Sequence, residues 1–177
     1  MLDQNTQHEQ PVRIKITIPT DVYFLAGLRN FTLDMSRNVA GFDDQWAYRF
    51  QTVVDELTNN AIEHGSMKGD EIELLFEVER KKSMSITVSD TGRGPSKLSA
   101  IELQQRASSA KIKSGTPILG LRGRGMAIMM SWCDSLEYAQ NERGGISVTA
   151  KKTYQPDEMT FHPMHSKEHE NVYVLEV

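Results

Sequence analysis

The order in which strand-like and helix-like patterns follow one another is the feature that most constrains the fold of this chain. Strands are predicted where apolar residues alternate with polar ones, and helices where apolar residues recur every three or four positions. The predicted order is strand 12–18, helix 21–39, helix 43–64, strand 71–79, strand 84–88, helix 98–110, helix 125–132, strand 135–139 and strand 146–150. This order predicts an α+β fold, a two-layer sandwich with the helices on one face of a mostly antiparallel sheet.

The chain has 177 residues, which is the size of one domain with tails. We predict a disordered N-terminal tail over 1–11, a domain over 12–152 and a C-terminal extension of unknown role over 153–177. Cys133 is the one cysteine, so no intrachain disulfide can form and a cytoplasmic location is expected. The first ten residues are polar and show no secretory signal.

Composition also argues against two classes of partner. No apolar run reaches the roughly 18 residues that a membrane span needs, so no membrane is expected as a partner. The net charge of −4 argues against direct nucleic-acid binding.

The C-terminal extension holds His162, His165 and His169, which leaves two possibilities, a metal site or a solvated tail. Its last six residues have the composition of an extra strand, for which the sequence indicates no partner.

Charge is concentrated between Thr91 and Met126. That segment carries seven basic residues and one acid, Glu102, and holds six of the twelve glycines. Glycine-rich backbone with local positive charge is typical of a phosphate-binding site. The alternative is a solvated loop without a ligand.

The first candidate site lies on the helix over 43–64. Glu56 and Asn60 are four residues apart, so their side chains lie on one helical face beside the apolar stripe. A half-shielded carboxylate can accept a proton, and an amide oxygen one turn away can bind Mg²⁺. An ordinary polar flank of a helix would show the same spacing.

The second candidate site is the end of the strand over 84–88, where Asp90 is followed by Thr91, Gly92, Arg93 and Gly94. An ionised aspartate accepts hydrogen bonds, and the exocyclic amine of adenine donates them. Glycine lets the backbone approach a flat base closely. The alternative is a simple turn that ends a strand.

The third candidate site is Gly120-Leu121-Arg122-Gly123-Arg124-Gly125-Met126, which leads into a helix. Free N–H groups at the start of a helix favour a phosphate chain. The segment matches neither the dinucleotide-binding fingerprint nor the P-loop. Met126, Met129 and Met130 form a stripe that is interpreted as core packing.

Together and in this order, the three sites resemble the GHKL ATPase superfamily, which includes gyrase, the heat-shock 90 chaperones and the histidine kinases. Within it, the chain looks most like the bacterial anti-sigma factor serine/threonine kinases of stress and sporulation control. The resemblance covers about Arg13 to Lys152 and includes Ile18-Pro19, Gly41-Phe42, the run from Asn60 to Gly65, and Gly145-Ile146-Ser147.

The resemblance implies ATP and Mg²⁺ as cofactors and assigns a role to each matching residue. Glu56 would be the general base, Asn60 would hold Mg²⁺, Asp90 would recognise adenine, and 98–121 would form a lid. The implied cofactor-binding residues are Asn60, His64, Asp90, Gly92, Gly94, Arg122, Gly123, Arg124, Gly125, Met126 and Ser147. It stays open whether Arg122 or Arg124 reaches the γ-phosphate.

The function implied by the resemblance is that of an anti-sigma factor with serine/threonine protein kinase activity. It would phosphorylate an anti-anti-sigma protein, sequester a sigma factor and form a homodimer. The alternative is a nucleotide-gated module that binds and releases a partner without significant kinase activity. A third interpretation, the ATP-binding domain of a histidine kinase, is disfavoured because no helix pair bearing a histidine precedes the domain.

Overall fold

The computed structural model describes residues 10–96, 98–112 and 124–156, without the side chains of 109–112 and 124. The strands are β1 (Val12–Pro19), β2 (Glu71–Glu79), β3 (Ser83–Ser89), β4 (Ser135–Gln140) and β5 (Ile146–Thr153). The helices are α1 (Leu25–Asp34), α2 (Asp44–Asn60), α3 (Ala100–Ile112) and α4 (Arg124–Trp132). The tails, including the possible C-terminal strand and the three histidines, lie outside these residues apart from 10–11 and 153–156.

The five strands form one antiparallel sheet in the order β1-β2-β3-β5-β4. The predicted α+β class with an antiparallel sheet is therefore confirmed. Because β5 lies between β3 and β4, the start of β5 lies beside the end of β3. This topology brings the loop after β3 next to the β4–β5 turn, although more than 50 residues separate them in the sequence.

Alternation along the strands gives the sheet one apolar face, which α1 and α2 cover. Four β2 side chains on this face are at most 1% exposed, and they are Ile72, Leu74, Phe76 and Val78. α2 contributes its own buried stripe, which consists of Phe50, Val53, Val54 and Leu57. Burial of each such side chain stabilises the fold by about 1.5 to 3 kcal/mol. Met129 of α4 is 1% exposed, so the interpretation of the methionine stripe as core packing is confirmed there.

The first two helices run about as far as predicted, but each ends in a π-helical turn, over Met35–Ala40 and Ala61–Gly65. The first turn ends at Gly41, whose φ of 81° is left-handed backbone that favours glycine. α2 begins as predicted, because the Asp43 carboxylate accepts a hydrogen bond from the backbone N–H of Trp46 at 2.7 Å. π-Helical turns are rare and are frequent at functional sites.

None of the helices in the described part of the chain has both the length and the apolar character needed to cross a bilayer.

Candidate functional site

The first candidate site lies where expected on α2. Glu56 is partly buried and Asn60, one helical turn later, is exposed. Their neighbours Val53 and Leu57 are buried in the core, at 0% and 3% exposure. The carboxylate of Glu56 therefore lies at the border between the core and solvent, where a proton acceptor is shielded and still reachable.

The structure brings Glu56 to the start of α4. A methyl group built at Gly125 would overlap the Oε2 atom of Glu56, so the carboxylate lies directly against the helix backbone at that position. The glycine allows this placement of the acid, because a side chain at position 125 would displace the flexible end of Glu56. Glu56 of the first candidate site and Gly125 of the third, 69 residues apart in the sequence, therefore lie together in the fold.

Asp90 follows β3 and is held by backbone N–H groups. Its Oδ1 accepts hydrogen bonds from Gly92 and Ile146, both at 2.9 Å. Within the described residues no hydrogen bond reaches Oδ2, so that oxygen is left to accept one from a ligand. Burial raises the pKa of the Asp90 carboxyl, and the hydrogen bonds from Ile146 and Gly92 oppose that shift.

Two glycines enclose the Asp90 carboxylate. A methyl group at Gly65 would overlap its Oδ2 side, and one at Gly145 would overlap its Oδ1 atom. In the sequence, Gly65 stands out only as part of the resemblance. A sequence pattern cannot show this contact, since it joins the end of α2 to the end of β3.

Gly92 and Gly94 lie where neighbouring protein backbone leaves no room for a side chain. A methyl group at Gly92, whose φ is +68°, would overlap the carbonyl oxygen of Gly144. One at Gly94 would overlap the carbonyl oxygen of His64, in the π-helical turn that ends α2. Both glycines therefore shape the surroundings of Asp90 by joining its loop to neighbouring backbone, a physical reason that the sequence did not indicate.

Asp70 fixes the same loop from the other side and was missed by the sequence analysis. Its 6% exposed side chain accepts a hydrogen bond from the Thr91 hydroxyl at 2.7 Å and pairs with Arg93 at 2.8 Å. The backbone N–H of Met67 and the Thr91 hydroxyl hold the pKa of Asp70 below its ordinary value. No local pattern marks this role of Asp70, because Thr91 and Arg93 lie more than twenty residues further along the chain.

The remaining predicted site residues divide into those described and those not. His64 has an exposed side chain, and its carbonyl oxygen accepts a hydrogen bond from the backbone N–H of Ser96 at 3.0 Å. The Ser147 hydroxyl lies 2.6 Å from that of Ser89, on the strand beside it. Met126 packs against the core.

The structure does not describe the other predicted site residues. These are Arg122, Gly123, the 113–121 part of the predicted lid and the side chain of Arg124.

Asn60, the predicted Mg²⁺ ligand, has an exposed side chain whose amide oxygen can bind the ion. Across 10–96, 98–112 and 124–156 there is no group of three or more His, Cys, Asp or Glu side chains that could hold a metal ion. Mg²⁺ keeps several waters and needs few protein ligands when phosphates carry it, so the exposed Asn60 amide fits the role of a single protein ligand.

Comparison with known families identifies the domain. A family model described as a histidine kinase-like ATPase domain matches residues 18–152, about three quarters of the chain. The chain belongs to this family. A search of curated proteins finds no match. Membership of an ATPase family supports nucleotide binding by this chain.

Proposed function

We propose that this protein is an ATP-dependent serine/threonine protein kinase of the anti-sigma factor type. It transfers phosphate to a hydroxyl of an anti-anti-sigma partner and sequesters a sigma factor. The observation that supports transfer, beyond binding, is the contact of the Glu56 carboxylate with the start of α4 at Gly125. It puts a proton acceptor beside a helix start, where phosphates are favoured.

In the proposed reaction, Glu56 orients the partner's serine or threonine hydroxyl and accepts its proton. The hydroxyl oxygen forms a bond to the γ-phosphorus as the bond from that phosphorus to the β–γ bridging oxygen breaks, which leaves ADP. Asp90 holds the adenine through its Oδ2 atom, and the N–H groups at the start of α4 bind phosphate oxygens. Mg²⁺ at Asn60 would supply neutralisation of phosphate charge. Phosphoryl transfer needs mainly positioning and charge neutralisation, which these groups provide.

The decisive variant is Glu56→Gln, which keeps the shape of the side chain and removes the proton acceptor. We expect phosphoserine or phosphothreonine formation on a candidate anti-anti-sigma protein to fall by about 10² to 10⁴. Affinity for Mg-ATP should change little, since the base does not bind the nucleotide. Quantitative phosphosite mapping measures the first quantity and calorimetry measures the second.

Glu63→Gln is the matched control, because Glu63 is an exposed acid two helical turns further along, with 62% of its side chain accessible. It should leave transfer unchanged. Equal transfer by the wild type and Glu56→Gln would show that Glu56 is not the base. Release of the partner on ATP binding without any phosphorylation would favour the nucleotide-gated binding module.

A further inference from the structure

The turn between β4 and β5, residues 141–145, is built around the side chain of Asn141. The Oδ1 atom of Asn141 accepts hydrogen bonds from the backbone N–H groups of Arg143 at 3.0 Å and Gly145 at 2.9 Å. The backbone adds two more bonds, from Asn141 N–H to Gly145 and from Gly144 N–H to Asn141. The turn therefore has one defined shape, set by the side chain at its first position.

The Asn141 side chain also contacts Asp90, the residue proposed to recognise the adenine base. The Nδ2 atom of Asn141 donates a hydrogen bond to the carbonyl oxygen of Asp90 at 3.0 Å. A single amide thus binds the turn with its oxygen and the Asp90 backbone with its nitrogen. This bond joins two segments that are 51 residues apart in the sequence.

The β4–β5 turn also fixes the position of the Asp90 carboxylate. The N–H of Ile146, directly after the turn, donates to Asp90 Oδ1 at 2.9 Å, and Gly145 lies against the same oxygen. The backbone of Gly92 packs against the carbonyl of Gly144. A displaced turn would therefore rotate the carboxylate and redirect its Oδ2 atom.

We infer that Asn141 is a positioning residue that sets the preference of the pocket for purines with an exocyclic amine at position 6. The inference rests on the proposed function only for Asp90 as the base-recognising group. A buried acceptor discriminates strongly only when its direction is fixed, because an analogue without the amine then leaves it unpaired. Asn141 fixes the direction of the Asp90 carboxylate, because its amide oxygen binds the turn and its amide nitrogen binds the Asp90 carbonyl.

The test compares Asn141→Asp with the wild type. Aspartate keeps the acceptor for Arg143 and Gly145, and so keeps the turn, but it loses the donor to Asp90. The probes are Mg-ATP and the triphosphate of purine riboside, which lacks the amine. We expect the wild type to prefer ATP by about 10- to 100-fold, the value of one hydrogen bond to a charged acceptor. The variant should lose most of that preference by binding ATP more weakly, with the analogue's affinity nearly unchanged.

Gln140→Ala is the matched control. The Gln140 side chain donates to the carbonyl oxygen of Gly144 at 3.0 Å, so its removal weakens the same turn without touching Asp90. It should keep the preference for ATP. Asn141→Ala, which removes the bonds on both sides, should lose the preference as Asn141→Asp does and should also lower the thermal midpoint.

The outcomes separate this inference from the kinase proposal. If Asn141→Asp keeps the full preference, or weakens both nucleotides equally, Asn141 does not position the carboxylate. If the wild type discriminates between the probes but transfers no phosphate, the kinase proposal fails and this inference stands. If the wild type binds neither probe, both are wrong.

Discussion

At the scale of single residues, Gly125 is where the base and the start of α4 meet. Gly125→Ala would put a methyl group on the position of Glu56 Oε2, the far end of a flexible side chain that can swing aside. We expect the fold to be kept, with a stability change of at most about 1 kcal/mol. Phosphate transfer should fall by about 10² because the base is misplaced. Single-turnover kinetics and thermal unfolding measure the two effects.

A double-variant cycle tests the cause of that loss. In a Glu56→Gln background the base is already absent, so Gly125→Ala should cost little further transfer. Additive losses would instead show that the methyl group acts on the phosphates and not through Glu56.

The raised pKa of Asp90 predicts that nucleotide binding depends on pH. Burial raises its pKa above the ordinary 3.8. Only the ionised carboxylate can accept hydrogen bonds from the backbone N–H groups at Oδ1 and from the adenine amine at Oδ2 together, because a protonated carboxyl carries an O–H donor on one oxygen. ATP affinity should therefore fall as pH decreases through that raised pKa, at a higher pH than for an exposed aspartate. Calorimetric titration from neutral pH downward measures the affinity. Asp90→Asn should bind weakly throughout and lack this transition, and a transition that persists in that variant would belong to another group.

The stability of the nucleotide-free protein should respond to Asp90 in the opposite direction. Between pH 3.8 and the raised value, the folded state holds a proton at Asp90 that the unfolded state has lost. The contribution of Asp90 to the free energy of unfolding therefore decreases as pH rises through this window. Its burial as an anion at neutral pH is a stability cost, as is common at sites that need a charged group.

The site residues that the sequence could predict are those whose placement is local. Glu56 and Asn60 share a face because they are one helical turn apart, and Asp90 lies at a strand end because alternation stops there. Contacts set by topology could not be predicted. The bond from Asn141 to Asp90 and the packing of Gly94 on His64 depend on how β3, β5 and the end of α2 meet.

At the scale of elements, the side chain of Gln104 attaches α3 to the edge strand β4 by two hydrogen bonds. Gln104 donates to the carbonyl oxygen of Leu136 at 3.3 Å and accepts from the backbone N–H of Tyr138 at 3.0 Å. These are groups that an edge strand leaves unpaired, so the amide of Gln104 replaces a neighbouring strand at this point. α3 covers the first part of the predicted lid, and the attachment therefore ties that part to the sheet.

Gln104→Ala should free the Tyr138 amide and speed its hydrogen exchange by about tenfold or more, the loss of roughly 1.4 kcal/mol of local protection. Gln104→Glu keeps the acceptor for Tyr138 and should show a smaller change. The Val148 amide, on the strand paired with Tyr138, serves as an internal reference for global opening. Equal acceleration at both amides would mean that the variant destabilises the whole sheet.

Elements were more predictable than the way they end. Periodicity indicated β1, β2, β3, α1 and α2, because an element with one buried face leaves a clear pattern in the sequence. The π-helical turn before Gly41 is different, since its Ala40 carbonyl accepts a hydrogen bond from Lys81 at 3.0 Å in the distant β2–β3 turn. A contact of that kind is decided by tertiary packing and leaves no local signal.

At the scale of the whole molecule, the two halves of the site are joined by backbone. One half contains α2 and α4 with Glu56, and the other is the loop after β3 with Asp90. The π-helical turn at the end of α2 connects them, because the carbonyl oxygens of His64 and Gly65 accept hydrogen bonds from Ser96 and Gly94 at 3.0 and 3.2 Å. A nucleotide bound to both halves would therefore bind the folded state alone and stabilise the domain as a unit.

This connection leads to a prediction for the stability of the complete chain. Mg-ATP at 100 times its Kd should raise the free energy of unfolding by about 2.7 kcal/mol, because it binds only the folded state. For a chain of this size the thermal midpoint should rise by about 5 to 10 °C. Mg-GTP at the same concentration should give a smaller rise, since its base lacks the amine that Asp90 accepts. Asp90→Asn should reduce the rise with ATP, and Asn60→Ala should reduce its dependence on Mg²⁺. An unchanged midpoint at saturating Mg-ATP would show that the two halves do not form a nucleotide site.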